Sequence, residues 1–267
     1  MRESNQGLIP VAPVRPVAPY LGGKRGLAKT ISERIKSVPH TTYVEPFVGM
    51  GGVFLRRPFK AKGEVINDLN RDVANLFRIL QRHYVALMDM LRWQVTSRDE
   101  FERLRRAEAS SLTDLERAVR FLYLQRMAFG GKTKSQAFGV QVGRPARFDV
   151  ATLGPILEDV HARLSSVVIE CLPWADVIAR YDRPDTLFYL DPPYWGNEND
   201  YAAAFSRDQF EQMASVLASL QGRFILSLND RPEVRETFSR FRIESVDVNY
   251  SINPNASGKR GEVLISN

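Results

Sequence analysis

Short apolar runs, rich in β-branched residues and bounded by charged or turn-forming residues, recur along the chain. Such runs are typical of buried strands, whereas apolar residues spaced three and four apart are typical of amphipathic helices. The predicted strands are 42–47, 63–66, 186–190, 223–227, 243–250 and 262–266. The predicted helices between them are 71–80, 207–220 and 231–238. Because strands alternate with helices, we predict an α/β fold, with a doubly wound and mostly parallel sheet covered on both faces.

The segment 84–153 interrupts this alternation. Helical periodicity is present in 100–109 and in 112–129, and a basic, glycine-rich stretch at 130–139 is typical of a loop or a hairpin. We therefore predict a catalytic domain formed by residues 1–83 and 154–267. A mainly helical subdomain that carries a hairpin, residues 84–153, is inserted into it.

Composition narrows the class of protein. No apolar run is long enough for a transmembrane helix, and residues 1–19 form an extended arm rather than a signal peptide, which favours a cytoplasmic protein. The lone Cys171 excludes an internal disulfide, and the three histidines are dispersed, so we predict no metal site. A net charge of +6 suits a polyanionic partner such as a nucleic acid, although charge of this size also serves solubility alone.

The first motif with chemical content is Glu-Pro-Phe-Val-Gly-Met-Gly-Gly at residues 45–52, directly after a predicted strand. A glycine-rich turn between a strand and a helix lets a ligand approach the backbone at the carboxyl edge of the sheet, although a plain tight turn has the same composition. Asp68 ends the next strand, about 20 residues later, where an acidic residue accepts ribose hydroxyls. Asp68 or Asn70 could alternatively cap the helix that begins at residue 71.

The second motif is Asp191-Pro192-Pro193-Tyr194, which follows the apolar strand 186–190. Two prolines end the strand and fix the backbone, so Asp191 is held at the carboxyl edge of the sheet. In α/β proteins the functional sites lie at this edge. A Pro-Pro turn with a surface aspartate is the alternative interpretation, and the preceding strand and the glycine-rich turn favour the functional one.

With these motifs in place, the chain resembles the Dam-like (D12 class) adenine-N6 DNA methyltransferases, in order and over nearly its whole length. Glu45, Pro46, Phe47, Gly49 and Gly51 match the family's cofactor motif. The resemblance implies a Rossmann-like methyltransferase fold and S-adenosyl-L-methionine as cofactor. Further cofactor residues that it implies are Tyr20 and Lys24 in Tyr-Leu-Gly-Gly-Lys, Asp68, Asp176 in Trp-Ala-Asp, and Asp191. Residues 250–265 resemble the family's C-terminal hairpin.

The resemblance also gives the second motif its chemistry. The N6 amine of adenine is a weak nucleophile, because its lone pair is delocalised into the ring. The Asp191 carboxylate and a backbone carbonyl of the Pro192-Pro193 segment, assigned to Pro193, would each accept one amine hydrogen and favour a pyramidal nitrogen. Tyr194 would stack on a base that has been turned out of the duplex. We expect the polar run 196–201 to close over this base as a lid.

The inserted segment occupies the position of the family's target-recognition domain, so we expect double-stranded DNA as the partner. Arg126, Lys132 and Lys134 are the candidate DNA contacts, and a solvated basic loop is the alternative. The residues that read the target sequence are not reproduced, which leaves the recognition sequence open. A monomer is the default expectation. Whether the chain belongs to a restriction-modification system or is an orphan methylase of phage origin also stays open.

Other functions are weighed against this one. Cytosine N4, an RNA base or a protein glutamine are alternative amine substrates, but the family relationship associates an aspartate at position 191 with adenine. An inactive DNA-binding homologue is a further alternative, which the complete set of expected catalytic residues disfavours. A dehydrogenase is excluded because Gly49-x-Gly51-Gly52 is not the dinucleotide fingerprint.

Overall fold

A mostly parallel sheet runs through the computed structural model, which describes residues 7–128, 136–139, 143–196, 205–246 and 261–267. The strands of the described residues are β1 (Ile9–Pro10), β2 (Thr42–Glu45), β3 (Phe59–Lys60), β4 (Gly63–Asn67), β5 (Val168–Glu170), β6 (Thr186–Leu190), β7 (Arg223–Asn229), β8 (Arg242–Val246) and β9 (Glu262–Ser266). The helices are α1 (Ala28–Ser37), α2 (Arg71–Arg82), α3 (Tyr84–Arg92), α4 (Arg98–Arg106), α5 (Asp114–Met127), α6 (Val150–Arg163), α7 (Trp174–Tyr181), α8 (Asp208–Ala218) and α9 (Pro232–Thr237). None of the helices within these ranges is both long and apolar enough to cross a membrane.

The order of the strands places a crevice at one edge of the sheet. Among the described residues, seven strands pair in the order β5-β4-β2-β6-β7-β9-β8. From β5 to β7 all neighbours are parallel, and β9 is antiparallel to both β7 and β8. After β2 the chain adds strands first on one side and then, from β6, on the other. In open α/β sheets a ligand crevice forms at such a reversal, outside the carboxyl ends of the strands.

The core confirms the predicted doubly wound architecture. Strand β6 is buried along its whole length, as expected for a strand that is covered on both faces. Leu187 and Tyr189 pack into the hydrophobic cluster on one face of the sheet. The alternate residues Phe188 and Leu190 pack into the cluster on the other face. Successive side chains of a strand point to opposite faces, so both faces of the sheet are covered.

Local capping signals determine where the helices begin. Asn70 caps α2, because its side chain accepts the backbone N–H of Asp72 at 3.0 Å. The alternative role of Asp68 as this cap is therefore wrong. Thr113 and Glu116 form a reciprocal capping box at the start of α5. The helices predicted over 100–109 and 112–129 thus correspond to α4 and α5.

The inserted segment packs tightly on the surrounding domain. The Asn75 side-chain amide of α2 donates to the Asp114 carbonyl at the start of α5 at 2.7 Å. The Arg117 guanidinium of α5 forms an ion pair with the Asp72 carboxylate of α2, with 2.7 Å between nitrogen and oxygen. Helix α6 runs across the predicted boundary at 153–154. Residues 129–135 and 140–142, which carry most of the predicted hairpin, lie outside the described residues. An antiparallel bridge joins Ala128 to Phe138 on either side of the first gap. The division into two domains stays a prediction.

The N-terminal arm is tied to the fold along its described part. Strand β1 pairs antiparallel with β3, and the Val14 N–H donates to the Leu55 carbonyl at 2.8 Å. Further along, the Val17 carbonyl accepts the Arg126 guanidinium at 2.9 Å and the Pro19 carbonyl accepts the Gln125 amide at 2.8 Å. These bonds hold the arm against α5, beside the carboxyl edge of the sheet.

Candidate active site

A cleft of about 520 Å³ opens at the carboxyl ends of β2, β4, β5 and β6, where the strand order reverses. Its size is within the range of small-molecule and cofactor sites. The N-terminal arm and the turn after it form one wall, and the loops after the strands form the rest. Of the predicted site residues, those that line the cleft are Tyr20, Lys24, Glu45, Pro46, Phe47, Gly49, Asp68, Arg126, Asp191 and Pro193.

The glycine-rich turn after β2 needs its glycines for two different reasons. Gly49 has a φ of +50°, and a Cβ on it would stand 3.0 Å from the Tyr20 ring, so this glycine lets the ring lie against the turn. Gly51 has a φ of +71°, and its Cβ would meet the Leu55 side chain at 2.8 Å. Gly51 does not line the cleft. Its contribution is therefore to the shape of the turn.

Asp68 connects this turn to the start of α2. Its Oδ2 accepts the Gly49 N–H and its Oδ1 accepts the Asn70 N–H, both at 2.9 Å. Burial raises the pKa of Asp68 to about 6, and the two backbone N–H donors oppose this shift. Asp68 lies in the wall of the cleft, and its role as the acceptor of ribose hydroxyls stays a prediction.

Asn67, the last residue of β4, organises the floor of the cleft and was missed by sequence reasoning. It is buried, and its side-chain amide donates to the carbonyls of Pro46 at 2.8 Å and Leu172 at 3.1 Å. Its Oδ1 accepts the Leu172 N–H at 2.8 Å. One side chain thus fixes the loops after β2 and β5 relative to β4. An asparagine that ends a predicted apolar strand, directly before the candidate Asp68, is the signal that could have revealed it.

The cleft has apolar walls on the side of β4 and β5. These walls include Phe47, Leu69, Leu172 and Trp174. Asp176, predicted from the resemblance to contact the cofactor, lies in the first turn of α7 with an exposed side chain and is not part of the cleft wall. The structure therefore does not bring Asp176 together with the other predicted residues.

Asp191 lies at the carboxyl end of β6 and belongs to a buried ion pair. The Lys24 ammonium is 2.8 Å from Asp191 Oδ1, and the Ser227 hydroxyl donates to the same oxygen at 3.1 Å. Tyr189 and Ser227 are linked through their hydroxyls at 3.0 Å. Burial raises the pKa of Asp191, while the Lys24 charge and its hydrogen bond act in the opposite direction.

Tyr194 is held by two charged groups. Its hydroxyl accepts a hydrogen bond from the Lys24 ammonium and donates one to Glu262, and the ammonium lies 4.2 Å from the centre of the ring. Tyr194 and Pro192 do not line the cleft. The backbone of the next residue, Trp195, is fixed by Asn229 through bonds of 3.0 and 2.9 Å. Residues 197–201, predicted as part of a lid, lie outside the described residues.

Glu45 is a buried carboxyl at the end of β2. Its Oε2 accepts the Tyr43 hydroxyl at 2.7 Å. Burial raises the pKa of Glu45 to about 8, and the Tyr43 hydrogen bond opposes this shift. At neutral pH this side chain is therefore mostly protonated, and it adds little negative charge beside Asp191.

Of the three predicted DNA contacts, the structure describes one, Arg126. Arg126 lines the cleft, but its guanidinium donates to the carbonyls of Val17 and of Arg147, the latter at 3.1 and 2.8 Å. In the structure this arginine joins the arm to the segment before α6. Lys132 and Lys134 lie outside the described residues.

The fold and this site define the class of protein. The sheet is doubly wound, and three features lie where its strand order reverses. They are the glycine-rich turn after β2, Asp68 after β4 and Asp191 after β6. This is a Rossmann-like methyltransferase fold, with the Asp191 carboxylate in the wall of the cleft.

The chain belongs to the D12 class N6 adenine-specific DNA methyltransferases, whose family model matches residues 20–252. A DNA adenine methylase of Haemophilus influenzae is 26% identical over 273 residues, which cover 96% of this chain and 93% of that protein. The DNA adenine methylase of Escherichia coli K12 is 28% identical over 259 residues, 90% of each chain. The type II methyltransferase M.CviBI of Paramecium bursaria Chlorella virus NC1A is 22% identical over 233 residues, 85% of this chain and 88% of that protein.

Proposed function

We propose that this chain transfers a methyl group from S-adenosyl-L-methionine to N6 of an adenine that has been turned out of double-stranded DNA. The observation that carries the proposal is the place of Asp191. A carboxylate stands at the end of β6, in the wall of a cleft that suits a nucleoside, and an ammonium 2.8 Å away favours its ionised form. Membership of the N6 adenine-specific family supports the choice of the adenine N6 amine as the acceptor of the methyl group.

The residues of the cleft fit the cofactor that the family implies. Asp68 is a carboxylate in the wall, and its oxygens keep lone pairs for ribose hydroxyls beyond the two backbone N–H groups that they accept. The apolar side chains of Leu69, Leu172 and Phe47 offer surface to an adenine ring. Tyr20 and Lys24 are the candidates for the methionine end. When bound, S-adenosyl-L-methionine would supply a methyl group on a sulfonium sulfur, whose bond to the methyl carbon would break to leave a neutral thioether as the N–C bond forms, with no need for a metal.

Asp191 performs the central step in this proposal. Its carboxylate accepts one hydrogen of the target amine, and the backbone carbonyl of Pro193 accepts the other. The two acceptors pull the nitrogen out of conjugation with the ring, so its lone pair becomes available for the new N–C bond. After transfer the surplus amine proton passes to Asp191 and from there to solvent. Acceptors that are already in position when charge develops are the largest contribution a site of this kind makes.

The surrounding residues keep these acceptors in position. Pro192 and Pro193 fix the backbone, since proline removes one torsional freedom and the N–H donor. The Ser227 hydroxyl orients the Asp191 carboxylate. Tyr194 provides the aromatic ring for a base outside the duplex, because every base offers a π-face for stacking. We further propose that the enzyme acts as a monomer, as one site serves one base, and that Lys132 and Lys134 of the inserted segment contact the DNA.

Transfer of a radiolabelled methyl group tests the substrate class. The protein is incubated with labelled S-adenosyl-L-methionine and, in parallel, with unmethylated double-stranded DNA, RNA of matched sequence, and a mixture of proteins. We expect label in the DNA alone. Label in the RNA or in protein glutamine, with DNA unlabelled, would overturn the assignment of substrate while leaving the cofactor in place.

A further inference from the structure

The antiparallel strand β9 brings a second carboxylate to the site. Glu262 is the first residue of β9 and pairs with Asn229, the last residue of β7. Because β9 runs against its neighbour, its first residue lies at the edge where the parallel strands end. The Glu262 side chain is buried there, and its Oε2 lies 3.8 Å from the Lys24 ammonium. Lys24 therefore stands between two carboxylates, Asp191 and Glu262.

Lys24 occupies positions that the proposed reaction needs. Its ammonium is in contact with Asp191 Oδ1, an oxygen of the carboxylate assigned to the target amine. It also covers one face of the Tyr194 ring, 4.2 Å from the ring centre, where a base could stack. A base that uses this carboxylate oxygen and this ring face requires the ammonium to move.

A second carboxylate, Glu262, lies close enough to receive the Lys24 ammonium. The Lys24 side chain is only 2% exposed, so leaving Asp191 without a new carboxylate partner would leave a buried charge uncompensated, which is strongly unfavourable. Glu262 Oε2 is 3.8 Å away, and a movement of about 1 Å would bring it into hydrogen-bond distance. Glu262 Oε1 meanwhile accepts the Tyr194 hydroxyl. The two oxygens of one carboxylate can therefore serve both side chains together.

We propose that Glu262 is a positioning residue that takes the Lys24 ammonium from Asp191 when the target base enters, which frees the carboxylate for the amine and the Tyr194 ring for stacking. The inference rests on the proposed function, since it concerns the same site. Without Glu262, Asp191 is the one carboxylate among the described residues that pairs with Lys24, and the ammonium competes with the target amine for it.

The charges around Asp191 supply a readout that a structural role would not move. Lys24, Glu262, Glu45 and the Ser227 hydroxyl face this carboxyl from the turn before α1, from β9, from β2 and from β7. The Glu262 charge raises the pKa of Asp191 and the Lys24 charge lowers it. Loss of the Glu262 charge therefore shifts the acidic limb of the rate profile to lower pH, although it also slows the reaction.

The test compares Glu262→Gln and Glu262→Asp with the wild type in single-turnover methylation of unmethylated DNA, together with cofactor affinity by calorimetry. We expect Glu262→Gln to lower the rate at least tenfold, to shift its acidic limb to lower pH and to leave the Kd for S-adenosyl-L-methionine within twofold. Glu262→Asp keeps the charge and retains a larger share of the rate.

Three results would overturn the inference. They are a Glu262→Gln rate within twofold of the wild type, an acidic limb that does not move, and a Glu262→Asp variant no faster than Glu262→Gln. Should Glu262→Gln fail to fold, Glu262→Met, which also removes the charge and keeps the length of the side chain, decides by the same rate and pH criteria. A wild type that methylates no DNA would instead contradict the proposed function, so the two failures are distinguishable.

Discussion

Lys24 and Asp191 form an ion pair of 2.8 Å between the turn before α1 and the end of β6, with side chains only 2% and 18% exposed. Burial raises the pKa of Asp191, and the ammonium moderates that shift. The pair joins the N-terminal turn in the cleft wall to the motif at residues 191–194, so the protonation of Asp191 depends on a residue far away in sequence.

Lys24→Met should move the acidic limb of methyl transfer to higher pH. In the proposed mechanism Asp191 takes up the amine proton, which only the ionised carboxylate can do, so the rate should fall as the pH drops through its pKa. Removal of the Lys24 charge takes away the main group that lowers this pKa and leaves only the Ser227 hydrogen bond to oppose the effect of burial. Single-turnover rates measured from about pH 5 to about pH 9 test this. A limb that stays in place or moves to lower pH would contradict the assigned pair.

Asp68→Asn should weaken cofactor binding about tenfold, which corresponds to roughly 1.4 kcal/mol. The amide keeps the shape of the side chain but loses the charge and one acceptor for ribose hydroxyls. Asp176→Asn is the matched control, because Asp176 is exposed on α7 and does not line the cleft. We expect the control to change the Kd less than twofold by calorimetry. Equal losses in both variants would show that Asp176 also meets the cofactor.

Asn67→Ala should lower the free energy of unfolding by about 2–3 kcal/mol. The substitution removes hydrogen bonds to the buried loops after β2 and β5 and leaves their backbone groups without partners. Urea denaturation measures the change. Asn70→Ala, which removes only the cap of α2, should cost about 1 kcal/mol. A smaller loss for Asn67→Ala than for the cap would refute the role of Asn67 in joining the two loops.

Ionisation of the buried Glu45 side chain should lower the free energy of unfolding at alkaline pH. Its pKa is about 8 in the folded protein, above the ordinary value of 4.5, so the protonated form favours folding. This contribution is complete below the ordinary pKa, declines as the pH rises, and is lost once the pH exceeds about 8. We expect the Tm of the wild type to fall by about 5 °C or more between about pH 5.5 and about pH 9. In Glu45→Gln the fall should be clearly smaller, and an identical fall in both proteins would contradict the assignment.

The sequence predicted the architecture and the two motifs because their signals are local. Apolar runs give β2, β4, β6, β7 and β9 nearly their observed bounds, and the Pro-Pro step places Asp191 at the edge of the sheet. The predicted strand 243–250 is β8 as far as Val246, and residues 247–250 lie outside the described residues. Strand β5 was missed because it is three residues long and partly exposed, which leaves no clear alternation.

The partners of Asp191 could not be predicted in the same way. Ser227 stands within a buried apolar strand and Glu262 at the start of another. The contacts of Ser227 with Asp191 and of Glu262 with Lys24 depend on the strand order. Arg126 is a case in which residue type was misleading. Its basic side chain suggested a contact with DNA, whereas its guanidinium donates to the Val17 and Arg147 carbonyls. Side-chain type alone does not distinguish a ligand contact from a bond to the protein's own backbone.

The most direct test of the central claim is nucleoside mass spectrometry of unmethylated DNA incubated with S-adenosyl-L-methionine and either the wild type or Asp191→Ala. Loss of the carboxylate removes the acceptor for the target amine, so we predict N6-methyladenine with the wild type and none above background with the variant. N4-methylcytosine as the product, or equal N6-methyladenine from both proteins, would contradict the account.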